Sequence, residues 1–71
     1  MTIKKITWRD STLYLEEEDK NISWEVTVIE SIGFVVKETD SFIVLTGDMM
    51  GDGYRRSIVI PRENIVSEEL L

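Results

Sequence analysis

Residues 58–66 read Ile58-Val59-Ile60-Pro61-Arg62-Glu63-Asn64-Ile65-Val66, an apolar β-branched run that stops at a proline and restarts four residues later. Proline lacks a backbone N–H and holds φ near −65°, so it cannot sit inside a hydrogen-bonded ladder, yet it can open a single tight helical turn. The spacing therefore predicts two strands joined by one short turn over residues 61–64. A continuous strand or a long helix through this stretch is excluded by the same proline.

Working outward, apolar residues recur with the two-residue period of strands. Leu13 and Leu15 alternate with Thr12 and Tyr14. Trp24, Val26 and Val28 alternate with Glu25 and Thr27, which predicts one apolar face and assigns Trp24 to the core. Phe34 and Val36 lead through Lys37 into the polar stretch Glu38-Thr39-Asp40-Ser41, a hairpin turn. Phe42-Ile43-Val44-Leu45 is apolar on both faces, and residues 55–60 and 64–66 supply the last strands. Residues 46–54 (Thr-Gly-Asp-Met-Met-Gly-Asp-Gly-Tyr) break the alternation and hold three of the four glycines, which predicts a long hairpin loop. Residues 16–20 have helical propensity without apolar spacing and read as an exposed loop. Ile3 and Ile6 fit a helical turn, but Ile6 and Trp8 fit a strand, and the β-branched residues favour the strand. No internal repeat, low-complexity segment or linker interrupts the chain. Residues 1–71 form one domain, an all-β, strongly bent antiparallel sheet of five or six strands closed into a small barrel.

These elements resemble SH3-like and Sm-like barrels. Ile60, Pro61 and Ile65 meet the I/V-P-x-x-x-I/V spacing that joins the last two strands there. Gly33-Phe34-Val35-Val36, then Asp40 and Val44-Leu45, resemble the second strand with its glycine bend, the acidic turn and the third strand. The chain also resembles small uncharacterised proteins of phages and prophages. The resemblance covers Trp8-Arg9-Asp10-Ser11, Trp24, residues 30–38, Val44-Leu45 and Ile60-Pro61 with Ile65, although Ile32 stands where valine is expected. It implies a phage or prophage origin and a host-cytoplasmic setting, and it implies no catalytic residues. The RNA-binding determinants of Sm proteins are not matched: no Asp-x-x-x-Asn run follows the bend, and the later strands lack Arg-Gly.

Composition narrows the function classes. A 71-residue chain buries only about 60% of its unfolded surface, so its core is thin and self-association is one way to enlarge it. Cysteine and histidine are both absent, which removes thiolate nucleophiles, zinc knuckles and the commonest general base. Serines without an activating partner, and carboxylates without a desolvating setting, do not predict an enzyme. No cofactor is implied. No apolar run reaches membrane-spanning length, and the N-terminus lacks a signal-peptide pattern, so the expected setting is cytoplasmic.

The net charge of −6 is uneven: residues 1–9 carry +3, residues 10–30 carry −6 and residues 31–71 carry −3. An acidic chain opposes counterion release on a phosphate backbone, so nucleic acid is a disfavoured partner. One alternative is a basic patch of Lys4, Lys5, Arg55, Arg56 and Arg62 on a nucleic-acid-binding barrel. Ordinary surface pairing with the abundant carboxylates is the simpler account of those cations. A second alternative is an acidic inhibitor of a host nucleic-acid-binding protein, with residues 16–19 mimicking phosphates. Asp48 and Asp52, with Asp40 upstream, offer oxygen ligands near glycines, but the EF-hand spacing is missing and solvated turn residues explain them as well. The favoured reading is a binding or assembly protein acting through its surface on a protein partner or on itself. Its candidate contacts are Trp8, half-exposed beside Arg9 and Asp10, with Met49, Met50, Tyr54, Arg55 and Arg56 around the predicted loop. The two-faced run of residues 42–45 is the candidate self-association strand.

Overall fold

A computed structural model describes residues 1–11 and 19–71. Strands β1 (Ile3–Asp10), β2 (Thr27–Glu38), β3 (Phe42–Met50), β4 (Gly53–Pro61) and β5 (Ile65–Leu70) form one antiparallel sheet in the order β4-β3-β2-β1-β5. The only helical element among the described residues is a 3₁₀ turn, Arg62–Asn64, between β4 and β5. Pro61 remains extended, with φ −62° and ψ 136°, and ends β4, so the turn starts one residue later than the proline suggested. As an edge strand, β4 tolerates a residue without N–H. No ladder joins β4 to β5 among the described residues, so the sheet is open where a closed barrel was expected. The strand expected at Leu13 and Leu15, and most of the acidic loop at residues 16–20, lie outside the described residues.

β2 changes ladder partners around Gly33. The first part of β2 pairs with β1, from Thr27↔Asp10 to Phe34↔Ile3, and the last part pairs with β3, from Phe34↔Thr46 to Glu38↔Ile43. A Cβ on Gly33 would lie 2.8 Å from the Thr46 carbonyl oxygen and 3.3 Å from Leu45 Cβ. Only glycine lets β3 lie against β2 this closely. A bulge between Val35 and Lys37 adds further twist. The following turn is held by Thr39, whose hydroxyl oxygen accepts from the amides of Ser41 (3.1 Å) and Phe42 (3.0 Å).

The core is Ile6, Trp8, Ile43, Leu45 and Ile60, with Ile29, Val35, Ile58 and Ile65 packed against it. It draws on every strand, as a thin core must. The two tryptophans exchange their expected places. Trp8 is 7% exposed and its indole N–H donates to Ser31 Oγ at 3.0 Å, whereas Trp24 is 65% exposed. Trp8 shares a strand face with Ile6 and faces Ile29 across the ladder, which fixes it on the core side. The expectation for residues 42–45 also changes. β3 is an interior strand with β2 and β4 on either side; Ile43 and Leu45 enter the core, and Phe42 lies beneath the Lys37 ammonium at 5.9 Å. Its two apolar faces are covered largely within the chain, so it is not a free edge for a second copy.

Candidate functional site

β3 outruns its neighbour. Its ladder with β2 ends at Phe34↔Thr46, but its ladder with β4 continues through Asp48↔Arg55, Met49↔Tyr54 and Met50↔Gly53. Residues 47–56 therefore form a two-stranded ribbon with no third strand among the described residues. The stretch expected to be a long loop is strand to Met50 and again from Gly53, closed by the two-residue turn Gly51-Asp52. Neither turn residue has positive φ, so the turn is not of the primed types that match strand twist.

The ribbon is anchored at its root by Thr46, which is buried. Its hydroxyl lies 3.0 Å from the carbonyl oxygens of Asp48 and Arg55, to which it can donate, and it accepts from Ser57 Oγ at 3.0 Å. Above the root, Arg56 adopts a left-handed conformation, φ 59°. In an unbroken strand Arg55 and Arg56 would project to opposite faces. The left-handed residue breaks that alternation, and both guanidiniums reach one carboxylate. Arg55 Nε donates to Asp48 Oδ2 at 3.1 Å, while Arg56 donates through Nε to Oδ2 (3.0 Å) and Nη2 to Oδ1 (2.9 Å). These bonds, the Arg56 bond first, hold the Asp48 carboxyl below the usual range. The Arg56 side chain lies along Gly47, where a Cβ would meet Nε at 3.4 Å.

At the far end Met49, Met50 and Tyr54 are 43%, 51% and 55% exposed and, with Gly51, Asp52 and Gly53, line a shallow open concavity. Five of the six candidate contacts thus lie on one ribbon: Met49, Met50 and Tyr54 toward its tip, Arg55 and Arg56 toward its root. Trp8 does not join them, being in the core. The arrangement offers apolar, polarisable contact area beside two exposed guanidiniums.

Both Asp48 carboxylate oxygens are engaged by arginine, and Asp40 lies in the turn before β3. Among the described residues no group of three or more acids converges as a metal site would require. The five cations considered as one patch fall into separate ion-paired sets: Arg55 and Arg56 on Asp48, Lys5 on Glu69 (3.1 Å), and Lys4 with Arg62. That last set was not anticipated from sequence. Lys4 contacts Glu38 (2.8 Å) and Glu68 (3.4 Å), and Arg62 contacts Glu38 (3.3 Å) and Glu68 (3.1 Å), a closed ring of alternating charge joining β1, β2, the 3₁₀ turn and β5. Hydrogen bonding to Glu38 raises the Lys4 pKa, and the same bond, aided by Arg62, lowers that of Glu38. No helix among the described residues is long and apolar enough to cross a membrane. Comparison with family models, curated proteins and solved structures finds no match.

Proposed function

We propose that the chain is a small binding or assembly module that works through its surface, with the β3–β4 ribbon as its contact element and a protein as its partner. One observation carries this reading: the ribbon extends past the sheet and presents Met49, Met50 and Tyr54 half-exposed to solvent, outside the core cluster. Met, Tyr and Arg are the residue types enriched at protein interfaces, and Arg55 and Arg56 flank the apolar tip. Their guanidiniums are pre-ordered by Asp48, which lowers the entropic cost of docking.

We read the open sheet as a member of the SH3-like and Sm-like architectures, from a phage or prophage. Strand order, the close approach at Gly33 and the 3₁₀ turn before β5 support the architecture; the phage origin rests on the sequence resemblance alone. The test is site-specific photocrosslinking in the source cell, with the crosslinker at Met50 or Tyr54 and, as control, at exposed Val59. A discrete protein adduct from the ribbon positions alone supports the proposal, and an adduct of twice the chain mass identifies the partner as a second copy. Equal labelling from all three positions, or adducts with nucleic acid alone, overturns it.

A further inference from the structure

We infer that β5 is an ionically latched strand, held on the β1 edge by carboxylate–cation contacts on both of its faces and released by salt before the rest of the sheet opens. Burial does not explain its docking. Of its six residues only Ile65 is partly buried; Val66 to Leu70 are exposed, whereas β3 places Ile43, Leu45 and Thr46 in the interior. β5 is bonded to one neighbour only, and its ladder is interrupted by a bulge opposite Thr7 and Trp8.

Side-chain charge supplies what burial does not. Glu68 and Glu69 are consecutive and therefore point to opposite faces. On the core side Glu68 opposes Ile6 and meets Lys4 of β1 at 3.4 Å and Arg62 of the 3₁₀ turn at 3.1 Å; Glu38 of β2 shares both cations. On the other side Glu69 opposes Lys5 of β1 and pairs with it at 3.1 Å, and Glu30 of β2 acts on the same ammonium. The strand is gripped from above and below. Such partly exposed pairs weaken as the Debye length falls to about 3 Å at 1 M salt, while apolar burial does not. Edge elements with little burial also open at the low end of the local-stability range. Release would free the β1 edge along Lys4 to Trp8 and withdraw Ile65 from the core, leaving the β1–β2–β3–β4 ladders intact.

The test is amide hydrogen exchange on the full chain at fixed pH, corrected for intrinsic rates, from 0.05 to 1 M sodium chloride. Wild type is compared with the double variant Glu68→Gln, Glu69→Gln and with Glu38→Gln. At low salt the double variant should exchange its β5 amides about 5- to 30-fold faster, the factor expected for losing three partly exposed pairs. The Leu71 amide, which donates to the Ile3 carbonyl at 2.9 Å, reports the same release, while β3 amides hold their wild-type rates. One molar salt should bring wild-type β5 toward the variant and leave the variant unmoved. Glu38→Gln, which leaves both cations to Glu68, should keep β5 exchange within about twofold of wild type, well short of that factor. If β5 and β3 exchange in a single step with one salt response, or if the double variant stays within twofold of wild type, the latch is refuted.

Discussion

Gly33→Ala tests whether the close approach of β3 to β2 at Gly33 organises this fold. The new methyl would lie 2.8 Å from the Thr46 carbonyl oxygen, 3.3 Å from the Thr46 carbonyl carbon and 3.3 Å from Leu45 Cβ. Two of those three atoms are backbone, in the interior strand β3, and the third is a Cβ, so no flexible side-chain end can yield. Overpacking of this kind costs about 1–3 kcal/mol. Gly33 does not have positive φ, so alanine incurs no left-handed penalty. It recovers roughly 0.4–1 kcal/mol by restricting the unfolded chain. The expected net loss is about 1–2 kcal/mol, or roughly 4–16 °C in Tm for a domain of this size. Gly51→Ala is the matched control: nothing lies within 4 Å of its Cβ position and its φ is also not positive, so it should be neutral or slightly stabilising. Urea and thermal unfolding followed by far-UV circular dichroism measure both. A Gly33→Ala protein as stable as wild type, or a Gly51→Ala protein equally damaged, would refute the close-approach argument.

Ser31→Ala removes the acceptor of the Trp8 indole N–H and should cost about 1–3 kcal/mol, because the donor is left in the core without a partner. Trp8→Phe in that background should cost less than in wild type, a coupling that a double-mutant cycle of urea midpoints reads directly. Acid stability should carry the Glu38 signature. Its folded pKa lies below the ordinary 4.5, chiefly through Lys4, so its stabilising contribution is present above 4.5 and lost as pH falls through the lower folded value. Lys4 is raised above 10.5, chiefly through Glu38, so its contribution is present below 10.5 and lost only as pH rises past the folded value. Unfolding midpoints measured against pH should show both limbs, and Glu38→Gln should flatten the acid one; an unchanged acid limb would contradict the ring.

The parts of the fold legible in the sequence are those written by backbone chemistry in single residues. Pro61 cannot donate to a ladder, so it sits at the end of an edge strand, and the turn at Arg62–Asn64 follows it. Gly33 stands where the Thr46 carbonyl lies too close for a side chain, and the polar run before Phe42 is a turn because Thr39 can satisfy its amides. The ring of Lys4, Glu38, Arg62 and Glu68 left no local trace. Lys4 is separated from Glu38 by 34 positions and from Glu68 by 64, and only the β5–β1–β2 strand order brings them together. The ribbon was misread for a related reason. Alternation in a strand records a core on one side, and residues 47–56 have no core to record. Backbone pairing, with the Thr46 and Asp48 side-chain bonds, extends β3 to Met50 without a buried face.

The tryptophans show where pattern reasoning stops. Alternation groups Trp24 with Val26 and Val28 as one core-facing set, but β2 begins only at Thr27 and all three residues are exposed. Alternation alone does not say which face meets the core. In β2 that is decided by the ladder: Ile29 faces Trp8, and Ser31 faces Ile6. Because Ile6 is wholly buried, its face must be the inner one, and Val28 and Ile32, one residue out of phase with Ile29 and Ser31, must point outward at 60% and 62% exposure. A one-residue change of phase inverts every side chain of a strand. Two apolar residues of β2 therefore remain in water as a consequence of the register that encloses Trp8. The same register that completes the core leaves an apolar outer face, and this is why exposed apolar residues alone do not mark a contact site here. The ribbon differs: among the described residues no register with a third strand requires Met49, Met50 or Tyr54 to be where they are, and that difference is the ground on which docking is proposed.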